Sequence, residues 1–396
     1  MFAIRQPLAR PASFTLAALG SALVMASASA PSPFYPQLQA QIGFSPVVLT
    51  GIFAIYAITL LATLLTFGSA SDHLGRRPML SLGFLLLAVF ALIFSQAHSV
   101  GGLVLARALQ GVAGGLLLST LSAAIVDLEP TDRPGLAAIC NSTLPLAGLA
   151  LGALLAGGAI DMSSLALHPF FIGLALISVL FAAGVWLWPE TSPRHEGLVS
   201  ALRPRVRIPD NARPVFWRVA PALFATWATG GFYLSLGVSI SSHVFGLTHG
   251  LEQGAVVTAL AGTGAAACFF ARHISASATL RLGIVALASG TLLTLIAVQQ
   301  GSLWAYLVAL PFAGIGFGTC FYGAVRSLAP LAEPHERGEL FAAIFTLSYL
   351  AFGVPVVIAG ALVSTFGLTT TTIGYGVVII AMALIAMCAR SDAQGR

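Results

Sequence analysis

The chain contains no lysine. All 18 of its Lys/Arg positions are arginine, set against 13 acidic residues, and charged residues make up only 8% of the 396. A soluble domain carries about 25% charged and roughly 45–50% apolar residues. Here 58% is apolar and the mean hydropathy is +0.94. So little charge cannot cover a water-exposed surface, which excludes an ordinary soluble protein and points to an integral membrane protein. The missing lysine is most simply a base-composition bias of the source genome. Cysteine is sparse too: Cys140, Cys268, Cys320 and Cys388 stand singly in apolar runs without C-x-x-C spacing. They read as small packing residues, with no disulfide or metal site expected.

What fills the sequence instead is long charge-free intervals: 11–71, 78–106, 108–126, 134–160, 162–189, 219–251, 253–271, 282–325 and 340–389. A membrane-spanning helix needs about 20 apolar residues. The shorter intervals hold one span each and the three longest hold two, divided at Pro31-Ser32-Pro33 through Pro46, at Gln299-Gln300-Gly301-Ser302, and at Phe366-Gly367. Twelve helices are therefore expected near 13–32, 46–70, 78–97, 102–126, 135–160, 168–188, 214–240, 253–272, 279–298, 303–326, 340–365 and 369–389. Uninterrupted apolar runs lack the alternation of barrel strands, so the fold class is an all-α polytopic membrane protein. Arg5 and Arg10 followed by an apolar run and "ASASAP" at 26–31 imitate a secretory leader. Proline directly after the would-be cleavage site, and a second span close behind, favour a retained first helix.

Arginine placement gives the expected orientation. With the N-terminus inside, every arginine except Arg107 falls on a terminus, a cytoplasmic loop or a cytoplasmic helix end, and the outer loops carry none. This positive-inside asymmetry predicts cytoplasmic termini in a bacterial-type inner membrane. It also accounts for the net charge of +5, so no nucleic-acid partner is implied; the partners expected are the lipid bilayer and a small molecule, with a monomeric chain.

The longest polar stretch, 190–213, reads as a cytoplasmic linker between two six-helix units, 1–189 and 214–396. "EPTDRPGLAAI" at 129–139 and "EPHERGELFAAI" at 333–344 follow the fourth and tenth spans, and both read E-P-x-[DE]-R, then glycine, then A-A-I. Proline beside acids is ordinary capping chemistry at a helix start. Its recurrence at equivalent places favours an internal duplication, an arrangement suited to two bundles rocking about a central site.

The densest charge lies at Gly68-Ser-Ala-Ser-Asp72-His73-Leu-Gly75-Arg76-Arg77. Gly68 permits close helix approach, Gly75 a tight turn, and Asp72 at a helix end needs a cationic or N–H partner. Asp127 is the expected partner of Arg76 or Arg77, and Arg133 that of Asp72. A positive-inside anchor would need the arginines alone. The stretch resembles the G-x-L-a-D-r-x-G-r-[RK] motif of the major facilitator superfamily of secondary transporters, with Ala70 in place of leucine and His73 in place of the first arginine. That resemblance implies two pseudo-symmetric six-helix bundles. It also implies a cytoplasmic gate made of Gly68, Asp72, Gly75, Arg76, Arg77, Asp127 and Arg133, with Glu333 and Arg337 from the repeat.

"LVLARALQGVAGG" at 103–115 resembles the family's l-x-x-x-R-x-x-q-G-x-g through Arg107, Gln110 and Gly111. A charge in hydrocarbon should face a cavity or a partner. The alternative is snorkelling, because Arg107 lies about 8 Å from the outer helix end at 1.5 Å rise per residue. Arg107 cannot itself relay a proton, because a guanidinium keeps its charge, but it could pair an anionic substrate or tune a nearby acid. Asp127, near the other end of the span, is the second candidate for coupling or substrate charge. "GLALGALLAGG" at 148–158 resembles the efflux-associated g-x-x-x-G-P-x-x-G-G through Gly148, Gly152 and Gly157, with Ala153 for the proline and Ala156 for one glycine; small-residue packing explains it equally. "WPET" at 188–191 also resembles family members, with little mechanistic content.

In such a fold a central cavity would be lined by Met25, Ser29, Gln110, Trp227, Phe232, Tyr233, Phe321 and Tyr322, with Tyr56, Asn141 and Tyr349 from adjacent helices. No Asp or Glu lies near the middle of any span; Asp127, Asp161 and Glu252 sit near helix ends. The cavity should therefore favour neutral or anionic compounds. The expectation is proton-linked efflux by an antiporter needing no cofactor beyond the proton gradient. Uptake or facilitated diffusion of a neutral or anionic nutrient is the alternative. A membrane enzyme would need convergent catalytic residues and a sensor an appended soluble domain, and neither is visible. The absence of a Walker-type loop excludes ATP-driven transport within this chain.

Overall fold

A computed structural model describes residues 8–333 and 336–394, and the described residues are helices and connecting turns without β-strand. Arg5, Arg396, and Pro334 and His335 of the repeated loop lie outside the described residues. Before the linker the chain forms α1 (Arg10–Ser29), α2 (Tyr35–Ile42), α3 (Pro46–Phe67), α4 (Ala70–Leu74), α5 (Arg76–Ser95), α6 (Val100–Asp127), α7 (Leu136–Met162) and α8 (Leu167–Gly184). The linker holds one turn, α9 (Leu198–Ala201). After it come α10 (Arg213–Ser235), α11 (Gly237–Phe245), α12 (Gly250–Ala271), α13 (Ala276–Gln300), α14 (Leu303–Leu328), α15 (Arg337–Phe366) and α16 (Leu368–Gln394).

Among the described residues, eleven helices are long and apolar enough to cross a membrane, and α10 with α11, bent by 58°, makes a twelfth. Several start where a serine accepts a first-turn N–H: Ser45 from Val48, Ser99 from Gly102, Ser275 from Ala278 and Ser302 from Ala305. The break expected from Pro31-Ser32-Pro33 through Pro46 narrows to its last residues, 43–45. The Pro31-Ser32-Pro33 segment does not end the first span; a 3₁₀ turn over Ser32–Phe34 leads directly into α2, and the chain turns only at Gly43, with φ of 82°. Prolines occupy first-turn positions of both short helices, where no N–H is needed and φ is already helical.

Lipid offers no hydrophobic drive between helices, so packing depends on close backbone approach at small residues. The α13–α14 pair is the clearest case. A Cβ built on Gly283, Gly290, Gly316 or Gly323 would lie 2.2 to 2.6 Å from a backbone nitrogen of the partner helix.

One buried core draws on residues from Phe14 to Trp188 and another on residues from Ala212 to Ala386. A third spans both sides of the linker, joining Phe53, Tyr56 and Leu149 to Leu234, Val257 and Phe352. The two sides meet unevenly. Toward the face bearing the ends of α7 and the start of α12 (the far face), Gly157 abuts the Gly250 carbonyl and Gly254 abuts that of Ala153, while Gly360 of α15 meets Thr50 of α3. Toward the opposite face, where the linker runs, α3 and α15 part around a cavity of about 470 Å³ lined by Leu64, Asp72, Glu339 and Phe345 and, from the linker, by Arg203 and Arg205.

Overpacking a tight contact costs about 1–3 kcal/mol. Gly316→Ala is therefore expected to lower the apparent melting temperature in detergent by several degrees, whereas Gly173→Ala, whose Cβ meets nothing within 4 Å, should leave it unchanged.

Candidate functional site

Two polar constellations stand out, one at the linker face and one deep in the spans. At the linker face α4 ends at Gly75, whose φ of 110° suits glycine alone, and α5 begins at Arg76. That turn places a 7%-exposed Arg76 guanidinium against three oxygens. Nη1 reaches Asp72 Oδ1 at 2.6 Å and donates to Ser71 Oγ at 2.6 Å, and Nε donates to Asp127 Oδ2 at 3.2 Å. The expected Arg76–Asp127 pair is thus present. The expected Asp72–Arg133 pair is not: Asp72 is satisfied by Arg76 one turn away, and Arg133 lies exposed beside Asp132 at 3.7 Å.

The residues that sequence reasoning undervalued here are Glu190 and Thr191 of "WPET" and the Ser192 that follows it. Glu190 caps α5, its Oε1 accepting the Arg76 N–H at 2.9 Å and its Oε2 the Arg77 N–H at 3.3 Å. Thr191 Oγ1 donates to Asp127 Oδ2 at 2.9 Å, and Ser192 Oγ donates to the Ser71 carbonyl at 2.8 Å. The available signal was a carboxylate and hydroxyls directly after a span, on the same face as an uncapped helix start. His73, which takes the place of an arginine in the motif, makes a 2.8 Å hydrogen bond between Nδ1 and the His195 carbonyl.

The described residues of the two loop copies make different contacts. Glu129 Oε1 accepts the Ala137 N–H at 2.8 Å, so in the first copy the acid caps α7. In the second copy Arg337 opens α15, and no ion pair reaches it among the described residues.

The second constellation surrounds Arg107, which is 0% exposed. It does not snorkel. Nη1 donates to the Ala28 carbonyl at 3.4 Å and to Gln110 Oε1, whose Nε2 in turn donates to the Ser27 carbonyl at 2.6 Å. The guanidinium carbon sits 4.5 Å from the Tyr56 ring centre and 5.2 Å from that of Phe53, within cation–π range. Nε and Nη2 have no hydrogen-bond partner, and no carboxylate pairs with Arg107 among the described residues. A buried cation neutralised only by carbonyl dipoles and ring faces is a receptive place for negative charge.

Among the expected cavity residues, Met25, Tyr56, Trp227 and Tyr349 share the core that bridges the linker, and Phe321 joins them through Trp227. The Trp227 ring lies 4.8 Å from Tyr349, 5.4 Å from Phe321 and 5.9 Å from Phe352, and Phe352 lies 5.0 Å from Phe53 beside Arg107. Phe53, Phe345 and Phe352 were not anticipated; aromatic residues in apolar helices carry no signal of direction. The structure does not bring Phe232, Tyr233 or Tyr322 to this cluster. Phe232 stacks on Tyr375, the Tyr233 hydroxyl bonds Thr294 Oγ1 at 2.9 Å, and Tyr322 lies under Arg326. Ser29 is spent on the Leu149 carbonyl and Asn141 on that of Ser122. The efflux-like glycines pack α7: Gly148 and Gly152 against Ala22 and Ala26 of α1, Gly157 against α12. The proline of α7 is Pro145, eight residues before Ala153.

Removing Arg76 leaves two carboxylates and a serine facing a vacated half-buried site. Arg76→Ala should destabilise the protein by about 1–3 kcal/mol, read as a lower apparent melting temperature, and Asp127→Asn should do so by less.

Comparison with known proteins accords with this architecture. Residues 17–354 match the family model described as Major Facilitator Superfamily. The tetracycline resistance protein, class E, of Escherichia coli is 25% identical over 285 residues, 67% of this chain and 66% of that one. The multidrug efflux pump LfrA of Mycolicibacterium smegmatis is 31% identical over 157 residues, covering 39% of this chain and 31% of that one. The alignments thus span just under two thirds of the former relative and under a third of the latter. Among solved structures, the inward open conformation of the xylose transporter XylE from E. coli superposes with a TM-score of 0.77 at 14% identity, covering 96% of each chain. A match over most of the chain, a shared fold and, among the described residues, twelve spans in which the bent α10–α11 pair counts as one lead to one conclusion: the chain belongs to the Major Facilitator Superfamily and is a multi-pass membrane protein.

Proposed function

We propose that this transporter is a proton-linked exporter of small neutral or anionic organic compounds, acting as a monomer by alternating access in an inner membrane. The observation that carries this reading is the uneven meeting of the two sides. They are in backbone contact at the far face and part around a cavity at the linker face, with one cation, uncompensated by any acid, at the depth of the spans. The arginine asymmetry supports a cytoplasmic linker face and cytoplasmic termini, which makes the conformation inward-open. The separate cores support units 1–189 and 214–396 as the rocking bodies, with 190–213 as their tether.

Asp72 is the proposed gate residue. It lines the cavity opposite Gly338 and Glu339 in the first turn of α15, and closure would carry its carboxylate toward the positive end of that helix. Gly68, Gly75, Arg76, Arg77 and Asp127 hold Asp72 in place, with Glu333 and Arg337 on the opposing lip; Arg133, exposed and paired locally, has no part. Asp72 and Asp127 both hold Arg76, which ties the gate residue to the end of α6. Arg107 serves as the charge that attracts an anionic group, with Tyr56, Gln110, Trp227, Phe321 and Tyr349 lining the path. Export is supported by relatives named for drug resistance and efflux.

Flux in proteoliposomes tests this. Neutral or anionic compounds should accumulate against their gradient when a pH gradient is imposed, and cations should not; equilibration indifferent to pH would establish facilitated diffusion instead. Asp72→Asn should lower turnover about tenfold or more while changing substrate affinity by less than about twofold. Arg107→Ala should abolish recognition of anionic compounds, and wild-type kinetics would remove Arg107 from the pathway.

A further inference from the structure

We infer that Asp161 is the latch of the far face: a carboxylate carried by the first half that caps a helix of the second half and holds that end of the transporter shut. The inference rests on the alternating-access reading and concerns a residue outside both constellations.

Helix α12 begins at Gly250 after His249, whose side chain takes the Glu252 N–H as one arm of a capping box and leaves the Gly250 and Leu251 amides to other acceptors. The His249 N–H goes to Glu252 Oε2 at 3.2 Å within the same helix. The next two amides cross to the other half. Gly250 N–H donates to Asp161 Oδ1 at 2.6 Å, and Leu251 N–H donates to Asp161 Oδ2 at 2.9 Å. Both oxygens of one carboxylate therefore sit on the positive end of a helix dipole, through charge-assisted bonds. Hydroxyls also cross between the halves, Ser32 to the Leu234 carbonyl and Thr258 to that of Ala150. Among the described residues Asp161 is the one acid that does so. His249 stands by with Nδ1 at 4.0 Å from Asp161 Oδ1.

The backbone below Asp161 is shaped to let the latch engage. Gly157, one helical turn earlier, abuts the Gly250 carbonyl, and Gly250 in turn faces the Gly157 carbonyl and Ile160. Side chains at either glycine would push α12 beyond reach of the carboxylate. Opening the far face separates α7 from α12, which parts Asp161 from both amides. The linker face shows the complementary arrangement: Asp72, also in the first half, faces the start of α15 across an open cavity. Each end of the transporter thus has a first-half carboxylate and a second-half helix start on opposing sides, and in this conformation the far-face pair is hydrogen-bonded while, among the described residues, no hydrogen bond joins the linker-face pair. Asp161 therefore contributes to the balance between the two conformations without touching substrate.

Spin labels in a background free of Cys140, Cys268, Cys320 and Cys388 read this directly. A far-face pair at Leu165 and Trp304, which are 79% and 80% exposed, reports one end, and a linker-face pair at Leu74 and Ile274, 47% and 40% exposed, reports the other. In lipid nanodiscs, Asp161→Ala should shift the ratio of far-open to far-closed molecules about tenfold toward open, with a reciprocal shortening at the linker face. Asp161→Asn, which keeps one acceptor oxygen, should fall between, and it serves should the alanine variant misfold. A wild type that alternates, together with variants showing unchanged populations, overturns the latch while sparing alternating access. Broadening at both ends without reciprocity also overturns it, because that marks lost packing. A wild type with no second population at either pair removes both.

Discussion

Backbone contact between helices is the constraint on which this structure depends. In lipid a leucine gains nothing by leaving hydrocarbon for a neighbouring helix, so association must come from dispersion and from dipoles at short range. Glycine on the contact face is what permits that range, and the α13–α14 seam shows it at four levels. The same device appears between α7 and α12, where the proposed alternating access would require it to release. A seam within one half is built to stay closed; a seam between halves needs contacts tight enough to seal and few enough to part.

Polar groups then decide where parting begins. Arg76 binds Asp72, Ser71 and Asp127 while Glu190 holds its backbone, so α4, α5, the end of α6 and the start of the linker form one stiff corner. A stiff corner beside an open cavity is what the proposed rocking would require, because motion of a half would have to reach its edge without being absorbed there. The embedded Arg107 is held differently, by carbonyls and ring faces, none of which carries formal charge. One arginine is thereby committed to structure, and the other keeps donors in reserve.

Much of the architecture was legible because membranes simplify the code. Charge-free intervals located the spans, and Gly301 and Gly367 ended helices where breaks were expected. Proline was the exception, since Pro33 and Pro36 act as helix starters once they fall in a first turn. The site was less legible. Arg76 with Asp127 could be inferred from topology, but the role of Glu190 depends on the linker folding back over α5. Aromatic residues were the hardest to place: Trp227 and Tyr349 face the bridge between halves whereas Phe232 and Tyr233 turn into one half, and only helix rotation distinguishes them.

The surroundings of Arg107 also say something about how the chain is assembled. Its contacts, the Ser27 and Ala28 carbonyls reached directly or through Gln110, and the rings of Phe53 and Tyr56, all come from segments synthesised earlier. When α6 leaves the ribosome, α1 and α3 are already in the bilayer to receive a charge that would cost a few kcal/mol to leave exposed to hydrocarbon. Insertion from the N-terminus thus meets the most expensive residue of the spans only after its cradle exists, and synthesis order becomes part of what makes an uncompensated arginine tolerable there.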